Sequence, residues 1–313
     1  MNASTPSMSS SNNASAKPLP HTIPEYLAQL REALRGSDPA LIQDALYDAE
    51  EYLRSELAEH NGEDEASVIA SVAGSYGAPE EVADIYRDTE TKVVTALRTP
   101  RPPPQQSALG KFFGVIVDPR AYSAVFYMML SLATGIFYFT WAVTGMSMSL
   151  GFAVLIIGLP FIVLFFGSVR VLSIVEGRIV EVMLGERMPR RPLYADRDKP
   201  MLSRIGAMFT DPRSWSTILY MLIMLPLGIV YFTFAVTMLT VSLSFIAAPF
   251  AWVFGHGVSW SLDGYNGPDP KWIAPLLAPL GVLLLFGFLH AARGIGHLHG
   301  QLAKHLLVRS AQD

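Results

Sequence analysis

The chain has 313 residues and no cysteine; 51% of its residues are hydrophobic, 16% are charged, and the formal net charge is −4. The charged fraction is well below the roughly 25% of an ordinary soluble domain, which predicts membrane-spanning segments. The lack of cysteine excludes disulfides, thiolate metal sites and a cysteine nucleophile. Acidic residues outnumber basic ones 17 to 6 between His21 and Arg98. Because nucleic-acid phosphates would repel such a segment, a nucleic-acid partner is excluded.

The first part of the chain predicts a tail and a small helical domain. Residues 1–22 are rich in Ser, Asn, Ala and Pro, so they predict a disordered tail without a secretory signal. Residues 23–98 predict four short acidic helices, with apolar residues at helical spacing. Prolines suit the first turns of these helices and glycines their ends: Pro24, Pro39, Pro79, Gly36, Gly62 and Gly77.

Residues 23–98 resemble the HAAS signalling domain, a bacterial helical module that is usually fused to membrane spans. The matching positions are Tyr26-Leu27-x-x-Leu30, Gly36-x-Asp38-x-Ala40, Asp44-Ala45-x-x-Asp48-Ala49-Glu50 and Gly77-x-Pro79-Glu80-Glu81-Val82-Ala83-x-x-Tyr86. The resemblance implies a cytoplasmic protein partner, such as a PadR-type regulator. Candidate docking residues are Asp44, Asp48, Glu51, Glu80 and Glu81. The alternative is that these acids only solvate the helix surfaces.

A tandem repeat follows a stiff proline-rich linker at residues 99–109. The stretch Asp118–Thr144 recurs at Asp211–Thr237 with about half of its residues identical. Each stretch is apolar over the roughly 20 residues that a helix needs to cross a bilayer. The chain therefore predicts two membrane repeats, residues 110–200 and 201–310, and the lipid bilayer as a partner.

Each repeat predicts a pair of spans, at about 121–143 and 150–169, and at about 216–239 and 274–292. Pro160 would kink the second span, and residues 170–184 would continue it as an amphipathic helix. The second repeat carries an insert at about 244–274. These spans contain no Asp, Glu or Lys, which argues against a coupled transporter.

The distribution of Lys and Arg predicts the topology. Nearly all of these residues lie in the linker, the middle connection and the C-terminal tail, whereas the insert carries only Lys271. Both termini are therefore predicted in the cytoplasm of a bacterial cell, with the insert outside the inner membrane and the two repeats arranged in parallel. The predicted fold is all-α: a small cytoplasmic helical bundle and a four-helix transmembrane domain.

The membrane half resembles the bacterial "putative sensor" domain, a four-span module. The resemblance rests on the Asp-Pro-Arg and Gly-Ile-x-Tyr-Phe-Thr motifs, which occur once in each repeat, and on an arginine at the end of the second span of each repeat, Arg170 and Arg293. It implies that these spans sense a signal in the envelope or the membrane. The long insert departs from the family pattern.

Candidate sensing residues form two groups. The insert holds Trp252, His256, Trp260 and Trp272, which predict either a ligand site or an aromatic belt at the outer interface. His290, His297 and His299 near the C-terminus predict a pH sensor, interface anchors or, as a third alternative, metal ligands. Repeated Tyr and Thr residues predict hydrogen bonds between helices: Tyr138, Tyr231, Thr140 and Thr233.

No catalytic motif is present: the chain has no phosphate-binding loop, no HExxH and no GxSxG. The sequence therefore predicts a non-enzymatic integral membrane sensor that docks a cytoplasmic regulator, with no cofactor and no metal. The alternative is a small channel or an accessory subunit of a membrane transporter. The sequence leaves open whether the protein forms a homo-oligomer.

Overall fold

The structure is a computed structural model, and it describes residues 20–60, 62–97, 107–152, 158–190, 206, 210–254, 261–262, 265–266 and 274–308. The chain forms two compact units. The first comprises the residues up to Ser37 together with Ala45–Lys92, and the second comprises Asp38–Asp44 and the chain from Val93 onward.

Four helices account for the predicted helical domain. They are α1 (Ile23–Ala33), α2 (Pro39–Glu59), α3 (Glu65–Ser75) and α4 (Pro79–Leu97). The hydroxyl of Thr22 caps α1 by accepting the backbone N–H of Glu25 at 3.3 Å. Gly36, Gly62 and Gly77 all have positive φ, which suits the turns between helices. The four predicted helices are therefore present.

Two tyrosines donate hydrogen bonds within the first unit. The Tyr26 hydroxyl is buried and donates to the carbonyl of Gly77 at 2.8 Å. The Tyr86 hydroxyl donates to the Asp48 carboxylate at 3.0 Å. Burial raises the pKa of both tyrosines, so both keep the proton that these hydrogen bonds require.

The described part of the second unit contains a short helix, a 3₁₀ turn and four long helices. They are α5 (Ala108–Phe113), a 3₁₀ turn (Gly114–Val117), α6 (Pro119–Phe152), α7 (Gly158–Leu184), α8 (Pro212–Val253) and α9 (Ala274–Leu307). Two two-residue strands, Ser261–Leu262 and Tyr265–Asn266, pair antiparallel. Within the residues that the structure describes, four helices are long and apolar enough to cross a membrane, and the predicted all-α fold is confirmed.

The membrane helices are longer than the predicted spans. Helix α6 continues to Phe152 and α8 to Val253, so the uncharged residues after each predicted span stay helical. Helix α7 continues to Leu184 as predicted, and the part of it that the structure describes begins at Gly158. Residues 153–157 lie outside the described part of the chain, so the predicted kink at Pro160 stays a prediction.

Equivalent residues of the two repeats make equivalent contacts. Asp118 and Asp211 cap α6 and α8, accepting the backbone N–H of Arg120 at 3.0 Å and of Arg213 at 3.1 Å. Within the repeats, Ser123 donates to the Met183 carbonyl at 2.6 Å and Ser216 donates to the Leu306 carbonyl at 2.8 Å.

Two equivalent ion pairs join the repeats to each other. Arg170 of the first repeat contacts Asp211 of the second at 3.3 Å. Arg293 of the second repeat contacts Asp118 of the first at 3.1 Å. The capping aspartates therefore have a second role, since each also binds the arginine that ends a predicted span of the other repeat.

Two equivalent glycines set the closest approach between the repeats. A Cβ atom on Gly135 of α6 would lie 2.5 Å from the carbonyl oxygen of Met224, and one on Gly228 of α8 would lie 2.3 Å from that of Ser131. The contacting residue number therefore rises along α6 as it falls along α8. Met128 of α6 accordingly clusters with Ala235 of α8. The two helices pack antiparallel, so the parallel arrangement predicted from the sequence is wrong.

Candidate functional site: a buried tyrosine, glutamate and histidine cluster

A carboxylate and an imidazole lie in the interior of the second unit. Glu176 of α7 and His299 of α9 are each 1% exposed, and both lie within candidate membrane spans. The predicted second span ends at residue 169, and Glu176 lies further along the same helix, within the longer candidate span Pro160–Leu184. An ionisable side chain in a membrane-spanning helix is costly and marks a functional site by default.

Two equivalent tyrosines bridge the two ionisable side chains. The Tyr127 hydroxyl lies 2.8 Å from Glu176 Oε1 and 2.6 Å from His299 Nε2. The Tyr220 hydroxyl lies 2.8 Å and 3.1 Å from the same two atoms. One tyrosine from each repeat therefore contacts both the glutamate and the histidine.

Two further tyrosines each contact one of the two ionisable side chains. Tyr138 donates to Glu176 Oε2 at 2.9 Å, and the Tyr231 hydroxyl lies 3.4 Å from His299 Nδ1. These contacts confirm the predicted hydrogen bonding between helices. Thr140 and Thr233, which were predicted to act in the same way, are exposed.

We call these six residues the polar cluster: Tyr127, Tyr138, Glu176, Tyr220, Tyr231 and His299. They are three pairs of equivalent positions in the two repeats, and four helices contribute to them. Tyrosine occupies both members of two pairs, whereas the third pair is Glu176 and His299. The polar cluster is thus close to symmetric in shape and asymmetric in charge.

With Glu176 ionised, the hydrogen-bonding capacities of these groups define two protonation states. An ionised Glu176 only accepts, so Tyr127, Tyr138 and Tyr220 donate to it. His299 Nε2 must then carry a hydrogen that points at a bridging hydroxyl oxygen. If Nδ1 is also protonated it donates to Tyr231 and the polar cluster is neutral; if not, the polar cluster carries one negative charge. Because burying a net charge is costly, the neutral state suits an apolar bundle.

Among the described residues, no group of three or more His, Cys, Asp or Glu side chains is placed to hold a metal ion. Glu176 and His299 supply two such side chains, and their remaining contacts are tyrosine hydroxyls. The chemistry that this arrangement supports is therefore hydrogen bonding and the gain or loss of a proton.

Sequence reasoning placed only part of the polar cluster. His299 was a candidate for pH sensing, and Tyr138 and Tyr231 were expected to bond between helices. Glu176, Tyr127 and Tyr220 were not singled out as site residues. The available signal was the alignment of the repeats, in which Glu176 stands opposite His299 and the same two tyrosines recur.

The other two candidate histidines lie elsewhere. His290 donates from Nε2 to the carbonyl of Phe112 at 2.9 Å. His297 is exposed and contacts Glu186 at 2.9 Å. The structure therefore brings His299 alone into the polar cluster.

The candidate docking acids have different surroundings. Asp44 is buried in the second unit, where it contacts Arg187 at 3.3 Å and accepts the backbone N–H of Arg190 at 2.7 Å. Asp48 accepts the Tyr86 hydroxyl. The exposed members are Glu51, Glu80 and Glu81. In the insert, the side chain of Trp252 and all of His256, Trp260 and Trp272 lie outside the described part of the chain.

A family model described as "Putative sensor" matches residues 127–307, which is more than half of the chain. The chain belongs to the "Putative sensor" family. The matched region begins at Tyr127 and contains every residue of the polar cluster. No curated protein and no solved structure matches the chain. The "Putative sensor" match does not include the first unit, whose resemblance to the HAAS domain stays a prediction.

Proposed function

We propose that the protein is a non-enzymatic membrane sensor that passes a signal from its four long helices to a regulator docked on the first unit. The observation that carries this proposal is the polar cluster. Membership of the "Putative sensor" family and the four candidate spans fit the membrane part of the role. The signal would come from the envelope or the membrane itself.

The polar cluster is suited to switching because it joins both repeats through a small number of hydrogen bonds. Tyr127 and Tyr220 each bridge Glu176 and His299. A change in the proton content, or a shift of one helix, leaves buried polar atoms unsatisfied until the other helices adjust. Such an element has discrete arrangements, which a signal can bias.

The first unit is suited to docking a protein. Its segment is strongly acidic, and Glu51, Glu80 and Glu81 are exposed on it. The resemblance to the HAAS domain points to a cytoplasmic regulator, such as a PadR-type protein. The excess of Lys and Arg in the linker, the middle connection and the tail supports a cytoplasmic location for both termini in a bacterial inner membrane.

Crosslinking and affinity purification from the native membrane test this function. The full chain is compared with a Glu51→Lys, Glu80→Lys, Glu81→Lys variant and with a chain that lacks residues 1–98. A soluble regulator recovered only with the unaltered chain supports the proposal. Equal recovery of the same proteins from all three chains contradicts the docking role.

A second candidate function is transport, as a small channel or an accessory subunit of a transporter. The observation that favours it is Glu176, because coupled transporters commonly bury a carboxylate within their spans. Proton flux into liposomes that contain the purified chain, lost in a Glu176→Gln variant, would support this role. Liposomes without flux would exclude the channel form.

A further inference from the structure

A cleft lies between the middle of α7 and the first turns of α8. The cleft is partly open to the surroundings. Six of its lining residues are polar: Arg170, Ser173, Asp211, Arg213, Ser214 and Thr217. The cleft is separate from the polar cluster, and neither the proposed function nor the family match assigns a role to it.

The cleft carries a net positive charge, from two arginines against one aspartate. Both oxygens of Asp211 are already engaged, Oδ1 by the backbone N–H of Arg213 at 3.1 Å and Oδ2 by Arg170 at 3.3 Å. The Arg213 guanidinium donates to Gln43 Oε1 at 2.9 Å. The positive end of the α8 dipole lies at the same place, so an anion would be stabilised there.

The hydroxyl of Ser214 points to a ligand independently of these charges. Ser214 is only 3% exposed, and its Oγ has no hydrogen-bond partner in the described part of the chain. A buried hydroxyl without a partner costs free energy. Ser214 lines the cleft, so a group bound there would complete its hydrogen bonding.

The equivalent position of the first repeat shows that the symmetric fold does not require such a cleft. There the ion pair and the cap are kept, by Arg293, Asp118 and Arg120. The three hydroxyl residues are replaced: Ser214 by Ala121, Thr217 by Ala124 and Ser173 by Gly296. A Cβ on Gly296 would lie 3.0 Å from that of Ala124, so the helices are closely packed there. One side is thus packed with small apolar residues, and the other is open and lined with hydroxyls.

We propose that this cleft binds a phosphate group, carried by an anionic lipid headgroup or present as free phosphate. Arg170 and Arg213 supply the charge, and Ser214, Ser173 and Thr217 supply hydroxyl donors. Arginine and hydroxyl side chains at a helix N-terminus are the groups that bind phosphate oxygens in proteins.

The test measures binding to the full chain in detergent micelles, with phosphatidylglycerol and inorganic phosphate as separate probes. Lipid retention is counted by native mass spectrometry, and phosphate binding is followed by the shift of the thermal midpoint. Arg213→Gln is expected to weaken binding by about tenfold or more, since a charged hydrogen-bond partner is lost. Arg120→Gln, the equivalent change in the first repeat, is the matched control and is expected to leave binding unchanged.

A second variant separates binding from folding. Ser214→Ala with Thr217→Ala installs the residues that the first repeat already carries, so the thermal midpoint without ligand is expected to stay the same while binding weakens severalfold. Binding of lipid alone identifies a headgroup site, and binding of both probes identifies a site for phosphate in general; either supports the proposal. Binding of neither probe, or equal loss in the Arg213 and Arg120 variants, would overturn it.

Discussion

At the scale of single residues, the structure accommodates a buried carboxylate by surrounding it with hydroxyls. Glu176 has three tyrosine contacts between 2.8 and 2.9 Å. His299 lies against the two bridging tyrosines, so an imidazolium there would offset an ionised carboxylate without direct contact. Isolated buried charges are strongly destabilising, whereas hydrogen-bonded and compensated ones are tolerated.

The bridging tyrosines should contribute more to the stability of the fold than Tyr231, which has the longest contact. Tyr127→Phe and Tyr220→Phe each remove a hydroxyl that touches both Glu176 and His299, so each is expected to lower the free energy of unfolding by about 1–3 kcal/mol. Tyr231→Phe removes only a contact of 3.4 Å and is expected to lower the free energy of unfolding by less. Unfolding in detergent measures this order, and a Tyr231 variant that is the least stable would contradict it.

Exchanging the two ionisable residues tests the pseudo-symmetry of the polar cluster. Glu176→His alone leaves two histidines, and His299→Glu alone leaves two carboxylates; each removes the charge compensation and is expected to cost about 3 kcal/mol. The double variant restores one of each among equivalent tyrosines. Its thermal midpoint is expected to return most of the way to that of the unaltered chain, and additive losses would contradict the equivalence.

At the scale of helices, two glycines and two capping aspartates determine how the repeats meet. Gly135 and Gly228 let α6 and α8 approach backbone to backbone, as small residues do in membrane helix pairs. The caps at Asp118 and Asp211 could be predicted from the Asp-Pro-Arg motif and are confirmed. Their ion pairs with Arg293 and Arg170 could not, because they depend on how the two repeats pack.

Alanine substitutions should distinguish the crossing glycines from other helical glycines. Gly135→Ala and Gly228→Ala place a Cβ within 2.5 Å of a backbone oxygen, so α6 and α8 must move apart. Each substitution is expected to lower the free energy of unfolding by about 1–3 kcal/mol. Gly167→Ala in α7 is the control, because nothing lies within 4 Å of its added Cβ. It is expected to be neutral or to stabilise by up to about 1 kcal/mol through helix propensity. Equal destabilisation of all three variants, measured by thermal unfolding, would contradict the crossing.

At the scale of the whole molecule, the all-α fold and the repeat could be predicted because both depend on local sequence patterns. The length of each apolar stretch predicts a span, and the motifs that begin at Asp118 and recur at Asp211 predict the duplication. The polar cluster could not be predicted in full, because Glu176 lies beyond the apolar stretch of α7 and the other members of the polar cluster come from three other helices. The antiparallel packing of α6 and α8 was also missed, since a repeat in the sequence does not specify the axis that relates its copies.

The transmembrane topology can be mapped directly, because the chain has no native cysteine. If the distribution of Lys and Arg sets the topology, single variants Lys111→Cys, Ser203→Cys and Ser310→Cys react with a membrane-impermeant maleimide only after the cells are opened, and Asp263→Cys reacts in intact cells. The antiparallel packing of α6 and α8 requires a different result if both helices cross the whole bilayer, because positions 111 and 203 then lie on opposite sides. Labelling of both positions from the same side would show that at least one of the two helices does not cross.

Under the proposed function, the state of the polar cluster controls the regulator bound to the first unit. The most direct test is recovery of the crosslinked regulator from native membranes that contain the unaltered chain, the Glu176→His variant, or the Glu176→His, His299→Glu exchange at equal abundance. Recovery of the regulator is expected to change in the single variant and to return to the unaltered level in the exchange. Equal recovery from all three, with the single variant shown to be less stable, would contradict it.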